Sequence, residues 1–374
     1  MGKILLKKVR LVEGGVVDIE VIQDKITRIT DNIPIENHKV IDGNSELYVS
    51  KGWIDLHTHC FDKYQLYGDS IDEVGYKQGV TTILDAGTAG ADTIGELYWQ
   101  SKNAKTNVYA FINVAKQGIA TQDELSDLKN LDEEKLLKAI QKYRNFIVGL
   151  KVRMSQSVLK NTGNEPLEFA KKIKHQFEIP MMIHIGSAPA ELEDVMKLAE
   201  RGDIITHIFN PKVNGILYPD GKIKSYVVDA HLRGVYFDVG HGSESFSFEV
   251  CEKAKQQGIE MDSISSDIYR KNRLNGPVYS LVVTMNKMLT CGYSLKQVID
   301  AVTLNPAKII QHQSLGVLKV GNDSNLTLFR FSNRKLQMMD SKGEVRTNSS
   351  TIEPVGVVLN GEYITLGGMY DDDL

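Results

Sequence analysis

Gly52-Trp53-Ile54-Asp55-Leu56-His57-Thr58-His59 is an apolar, β-rich run that ends in two histidines spaced two apart. Residues two apart on a strand project to the same side, so both imidazoles can reach one metal ion. The leading glycine marks a change of rhythm. From Trp53 onward, apolar β-rich segments recur at 53–57, 81–85, 108–113, 147–152, 181–185, 204–208, 235–239 and 263–267. Between them, stretches such as 133–143, 166–175 and 190–200 carry apolar residues at three- and four-residue spacing, the helical pattern. Eight strands alternating with helices over roughly 260 residues predict an α/β fold, the (β/α)8 TIM barrel, for which about 250 residues is typical.

Outside this region the pattern is different. Residues 4–12, 16–22 and 25–29 alternate apolar with polar and are broken by Gly14-Gly15 and Gln23-Asp24, which reads as short antiparallel strands. The same style returns at 316–319, 325–330 and 354–359, where Asn360-Gly361 is a strong hairpin signal. The two ends are expected to pair into one small discontinuous β-sandwich domain, 1–51 and 315–374, beside a barrel domain of 52–314. Asp371-Asp372-Asp373 reads as a solvated tail.

Composition narrows the partners. The 374 residues are 42% hydrophobic and 25% charged, ordinary for a globular chain with a large core. A net charge of −4 from 44 basic and 48 acidic residues leaves no electrostatic footprint for nucleic acid or an anionic membrane. The expected partner is a small-molecule substrate, with a homo-oligomer left open. Cys60, Cys251 and Cys291 are few, odd in number and widely spaced, which suits a reducing compartment. The first residues carry too short an apolar run for a signal peptide, and no run approaches the ~18 apolar residues of a membrane span. The expectation is a soluble, cytoplasmic protein.

Barrel enzymes place functional groups at the C-terminal ends of strands. Four more candidates stand there: Lys151 in Gly149-Leu150-Lys151-Val152-Arg153, His184 in Met182-Ile183-His184-Ile185, His207 in Ile205-Thr206-His207, and Asp267 in Ser265-Ser266-Asp267. Each alone has a plainer explanation, such as a satisfied core histidine, a helix-capping aspartate or a lysine snorkelling from the rim. Together these explanations require independent coincidences, whereas one hydrolytic metal site accounts for all.

With these residues in place, the chain resembles the amidohydrolase superfamily over nearly its whole length. Thr303-Leu304-Asn305-Pro306-Ala307-Lys308 and Leu315-Gly316-Val317-Leu318-Lys319-Val320-Gly321 also resemble that family's exit from the barrel. The resemblance implies that Lys151 is carboxylated by CO2, because a carbamate can bridge two cations and an ammonium cannot. It further implies that His57, His59 and Asp267 hold the more buried of two divalent ions, that His184 and His207 hold the other, and that carboxylated Lys151 bridges both. Zinc suits imidazole and carboxylate ligands, with manganese or iron as alternatives. The implied chemistry is attack by a metal-bridging hydroxide, with Asp267 as general acid and base.

The substrate is read from smaller differences. Dihydroorotase resembles this chain in its ligand set, but its pattern has an arginine two residues beyond the second histidine, where Phe61 stands here. Asp238-Val239-Gly240-His241-Gly242, Ser245-Phe246-Ser247-Phe248 and Asn275-Gly276-Pro277 look closer to a bacterial amidohydrolase and deacetylase subgroup called dihydroorotase-like. That resemblance implies cleavage of an amide or ester next to a carboxylate, in an N-acyl amino acid or an acylated 2-hydroxy acid. Arg153, on the same strand face as Lys151, is either the fork for that carboxylate or half of a structural ion pair at the rim. His241 is either a substrate contact or a turn residue, and Gly276 joins them as an expected contact. Tyr269, Arg270 and Arg273 either touch substrate or cover the mouth. Cys60 faces away from His59 and reads as a small buried residue, and Gly87-Thr88-Ala89-Gly90 as a βα turn.

The rival readings are a cyclic amidase such as dihydroorotase and an adenine-type deaminase with one metal, against which Lys151 argues. A non-catalytic scaffold related to dihydropyrimidinase would have lost ligands, and none is lost here.

Overall fold

A computed structural model of the chain describes residues 2–367, so the Asp371-Asp372-Asp373 segment lies outside the described residues. Alternating patterning shapes the first part into β1 (Lys3–Leu11), β2 (Val16–Ile22), β3 (Lys25–Thr30), β4 (Lys39–Asp42) and β5 (Tyr48–Lys51). There follow β6 (Trp53–Thr58), β7 (Val80–Ala86), β8 (Asn107–Asn113), β9 (Ile147–Met154), β10 (Met181–Ile185), β11 (Ile204–Thr206) and β12 (Tyr236–Asp238). These seven pair in parallel in the order β12-β11-β10-β9-β8-β7-β6. Every residue of β6, β7 and β9 is buried, as parallel strands covered by helices on one face and packed on the other require.

The eighth position departs from a regular strand. Residues 263–268 form no regular strand and bridge β12 and β6 at single parallel pairs, Asp238 with Ser263 and Thr58 with Ile268. Val239 N–H donates to Ser263 O at 3.1 Å and Asp267 N–H to His57 O at 2.7 Å, so this segment closes the barrel. Its irregularity has a cause. Ser263 and Ser265 hydroxyls donate to Asp238 at 2.7 and 2.6 Å, and Ser266 bonds Asp55, so side chains do part of the work of a ladder.

The last part forms β13 (Leu326–Ser332), β14 (Leu336–Met339), β15 (Val345–Asn348), β16 (Thr351–Leu359) and β17 (Glu362–Thr365). Strands from both ends of the chain share one sheet, ordered β17-β16-β13-β5-β1-β2-β3 with β4 also on β1. Ile4, Leu6, Ile19, Val21, Leu326 and Val358 are among its buried core residues.

The three early strands expected, β1, β2 and β3, do pair antiparallel. Two further strands, β4 and β5, run parallel to β1, one after the other along the same edge, because residues 31–38 first carry the chain back across the sheet. One expectation needs correcting. Residues 316–319 form no strand; Val317 is 38% exposed, and Leu318 packs on the small sheet's core without pairing to a neighbouring strand.

The β14–β15 hairpin, which has no counterpart in the sequence reading, packs on the barrel. Met338 joins the barrel's core, Asp340 Oδ2 accepts from Phe248 N–H at 3.1 Å, and Arg346 is ion-paired with Glu252. Among the described residues, no helix is long and apolar enough to cross a membrane.

Candidate metal centre

The C-terminal strand ends bring the expected ligands together. His57 is in β6 and His59 just beyond it; Lys151 is in β9 and His184 in β10; His207 follows β11, and Asp267 lies on the closing segment. His57 Nε2 and His59 Nε2 lie 3.2 and 3.0 Å from Asp267 Oδ1, and His207 Nε2 lies 4.0 Å from Oδ2. His184 Nδ1 is 2.7 Å from His207 Nε2, and Lys151 Nζ is 3.1 Å from His57 Nε2. His57, His207 and Asp267 each offer a ligand atom within 4.8 Å of the others. His207 and Asp267 sit at φ 71° and 52°, a left-handed conformation that is uncommon for residues with a Cβ and persists where the surroundings enforce it.

The opposite ring nitrogens are anchored by neutral oxygens. Thr206 Oγ1 lies 3.0 Å from His57 Nδ1 and donates its own hydrogen to Asp238 Oδ2 at 2.7 Å, so it can only accept from the ring. Thr88 Oγ1 is 2.7 Å from His59 Nδ1 and bonds the Asp85 carboxylate. Gly240 O is 2.5 Å from His207 Nδ1. These contacts put the ring hydrogen on Nδ1 and leave the Nε2 lone pairs facing the centre, as metal-ligating histidines require.

Electrostatics favour uncharged donors. Burial, then the charge of Lys151, pushes His57 well below the usual histidine range, and burial lowers His207 to about 4. Burial lowers Lys151 to about 7, so much of it is the neutral amine near that pH. Burial pushes Asp267 upward, but the polar groups that face it, His59 first and then His207 and Lys151, outweigh this and hold the carboxyl below its ordinary value. Lys151 is fully buried, and its hydrogen-bond neighbours are an imidazole and the Met182 thioether, at 3.1 and 3.2 Å. That is a poor berth for an ammonium and a good one for a neutral amine that can add CO2. Four imidazoles, one carboxylate and such a lysine fit divalent ions with nitrogen and oxygen preferences.

The expected substrate contacts fare differently. Arg153 is 5% exposed, and its Nη1 donates to both carboxylate oxygens of Glu124 at 3.2 and 3.0 Å. The ion pair is therefore present, in the interior rather than at the rim. Tyr67 covers the guanidinium, 5.6 Å from ring centre to carbon, and meets the Tyr269 ring at 5.0 Å and the His59 ring at 5.5 Å.

His241 needs correcting as a substrate contact. It is wholly buried, with Nδ1 2.7 Å from Gly242 O and Nε2 2.7 Å from Lys287 Nζ. Its flanking glycines, at φ 46° and 52°, turn the loop so that the ring points under it and both nitrogens are engaged. Gly276 caps the helix Arg270–Asn275 at φ 71°, and the Tyr279 ring occupies the place of a Cβ, so the turn itself requires a glycine there. Arg273 is tied to buried Asp69 at 2.6 Å, and Cys60 Sγ lies 3.8 Å from Asp85 Oδ2.

Thr88, Thr206, Glu124 and Lys287 went unseen in the sequence. Thr206 adjoins a ligand, but a hydroxyl beside a histidine has no spacing that marks it.

Comparison with known proteins places the chain in a family. The amidohydrolase family model matches residues 48–364. The chain belongs to the amidohydrolase family. It is a hydrolase acting on C–N bonds. A deacetylase of Enterococcus faecalis (strain ATCC 700802 / V583) is 43% identical over 361 residues, covering 96% of this chain and 98% of that protein. A crystal structure of an adenine deaminase is similar at TM-score 0.95 and 42% identity, covering 98% of this chain and 100% of that one. A crystal structure of a dihydroorotase follows at TM-score 0.91 and 31% identity, with coverage of 98% and 100%.

In this amidohydrolase, Thr206→Val keeps the side chain's shape and removes the acceptor for His57 Nδ1–H. Metal affinity or turnover is expected to fall about 10- to 100-fold. Metal titration with parallel rate measurement checks this; unchanged values would mean that His57 is oriented by other contacts.

Proposed function

We propose that this amidohydrolase is a deacylase with two divalent ions, zinc foremost, that cleaves the amide or ester of a small carboxylate-bearing substrate. N-acyl amino acids and acylated 2-hydroxy acids are the substrate classes. The observation that carries the reading is Lys151, buried and lowered to about 7 among four imidazoles and Asp267. Its place there favours a two-ion centre over a one-metal deaminase. Phe61 favours a deacylase over dihydroorotase: it is 2% exposed and packed on Tyr64, so the histidine strand offers no cation for a ring carboxylate. The deacetylase name of the 43% identical relative points the same way.

His57, His59 and Asp267 would hold one ion and His184 and His207 the other, with Lys151 as carbamate between them. When bound, such ions polarise a carbonyl and acidify water. Asp267 is the proton carrier. Its Oδ1 faces His57 and His59, which leaves Oδ2 to take a proton from the attacking water and return it to the leaving nitrogen or oxygen. The Tyr67 ring stands beside His59 and meets Tyr269 edge-on, so two aromatic rings flank this side of the centre.

Arg153, oriented by Glu124, binds the substrate carboxylate. Because Arg153→Met alone would strand a buried carboxylate, the test uses Arg153→Met together with Glu124→Gln. KM for carboxylate substrates is expected to rise about 10- to 100-fold, the worth of a hydrogen bond to a charged group, with kcat changed less. An unchanged KM, measured by steady-state kinetics, would leave the pair a structural role only.

The substrate reading is tested by screening metal-loaded enzyme against N-acetyl-D- and L-amino acids, acylated 2-hydroxy acids, dihydroorotate and adenine. Acid release from either of the first two classes is expected. Turnover of dihydroorotate or adenine alone would overturn the proposal.

A further inference from the structure

Lys287 stands in the helix Leu281–Thr290 and is wholly buried. Burial pulls Lys287 down to about 7, and in its protonated form three hydrogens meet three acceptors: His241 Nε2 at 2.7 Å, Pro277 O at 2.8 Å and Met339 O at 2.8 Å. A buried cation is costly unless its hydrogens are fully engaged, and an apolar side chain would fill a helix interior at lower cost. Nothing in the hydrolytic chemistry described above uses this lysine. Its acceptors come from three separate segments: the loop after β12, the Gly276-Pro277 turn, and the end of β14 in the C-terminal hairpin.

The contact with His241 leads on to the metal centre. Lys287 donates to Nε2, so Nδ1 carries the ring hydrogen and donates it to Gly242 O at 2.7 Å. The ring also stacks on Phe246 at 4.8 Å. The segment Gly240-His241-Gly242 is thereby fixed from below. From above, it touches two of the expected ligands. Gly240 O accepts from His207 Nδ1–H at 2.5 Å. The N–H groups of His241 and Gly242 donate to Ser265 O and Ser266 O at 3.1 and 3.0 Å, on the two residues that precede Asp267. At Gly242 the approach is so close that a Cβ would fall 2.5 Å from Asp267 Oδ2. A shift of this segment by a few tenths of an ångström must therefore be felt by both the His207 ring and the Asp267 carboxylate.

We infer that Lys287 is a positioning residue which, through His241, holds the 240–242 segment against His207 and Asp267 and couples the β14–β15 hairpin to the metal centre. The inference rests on the reading of His207 and Asp267 as metal ligands. It gives His241 a role that its burial allows, as a link rather than a substrate contact. It also gives the hairpin a function, because Met339 O is one of the three acceptors that place the ammonium.

The test uses the full chain loaded with Co(II), whose visible d–d absorption reports ligand geometry without any substrate. The variants are Lys287→Met, His241→Phe, which keeps the stack on Phe246, and the two combined. Both single variants are expected to shift the cobalt spectrum in the same sense. Each should lower kcat about 10- to 100-fold for whichever acylated substrate the wild type hydrolyses, with KM within about twofold. Since the residues act in series, the double variant should be no worse than the worse single. Val21→Ala, in the core of the small sheet, controls for general loss of stability and should leave the spectrum unchanged. Should Lys287→Met not fold, Lys287→Gln keeps two donors and is expected to give a smaller shift, and His241→Phe still reports the link. A wild type without cobalt absorption would refute the ligand reading itself. A wild-type spectrum unaltered in the variants, or losses that multiply in the double variant, would overturn the role of Lys287.

Discussion

Lys151→Ala should abolish hydrolysis, with a fall of about 10³-fold or more, the scale seen when one member of a cooperating set is removed. The size of the effect follows from position. Lys151 lies in β9, between the end of β6 that brings His57 and the strand β10 that brings His184, and its Nζ is 3.1 Å from His57 Nε2. As a carbamate it would supply the anionic charge that lets two cations sit ~3.5 to 4 Å apart. Without it, the four imidazoles and Asp267 provide one negative charge, too little to hold a second ion. The truncated side chain leaves a space where a short carboxylic acid such as propionate can take the carbamate's place, so added propionate should restore part of the activity. Lys151→Met fills that space and should be equally inactive but not rescued. Rates with and without propionate, read beside metal content, check both statements; a Lys151→Met protein that kept two metals and full turnover would remove the lysine from the centre.

Asp267→Asn should lower kcat by about 10² to 10⁴, the usual worth of a positioned acid–base group. The substitution preserves shape and removes the capacity to carry a proton. Two features make the carboxylate's placement exacting: its backbone stands at φ 52°, and its carbonyl is held by Asn272 Nδ2 at 2.9 Å. Metal content must be measured on the same sample, since Asp267 is also an expected ligand. Near-wild-type turnover at unchanged metal content would exclude Asp267 as the proton carrier.

The barrel was legible because β6, β7 and β9 are buried throughout, which writes short runs rich in apolar and β-branched residues into the sequence. The six ligand candidates could be picked out because strand ends are where barrel chemistry sits, and each candidate lies at or near the end of such a run. What escaped was non-local or turned on backbone dihedrals. The Asp238–Thr206–His57 chain joins three strands and has no sequence period. His241 looked exposed to substrate because a loop between glycines reads as a rim, and only the positive φ at Gly240 and Gly242 shows that the ring turns inward. The β14–β15 hairpin was missed because its strands are four residues each and partly exposed, so neither alternation nor a continuous apolar run marks them. The parallel pairing of β4 and β5 with β1 likewise depends on a return path across the sheet that no local pattern encodes.

The central claim is a two-ion centre bridged at Lys151, and the metal content of fully active protein tests it most directly. Elemental analysis of enzyme at maximal specific activity should give two equivalents of divalent metal per chain. One equivalent or less in fully active protein would contradict it.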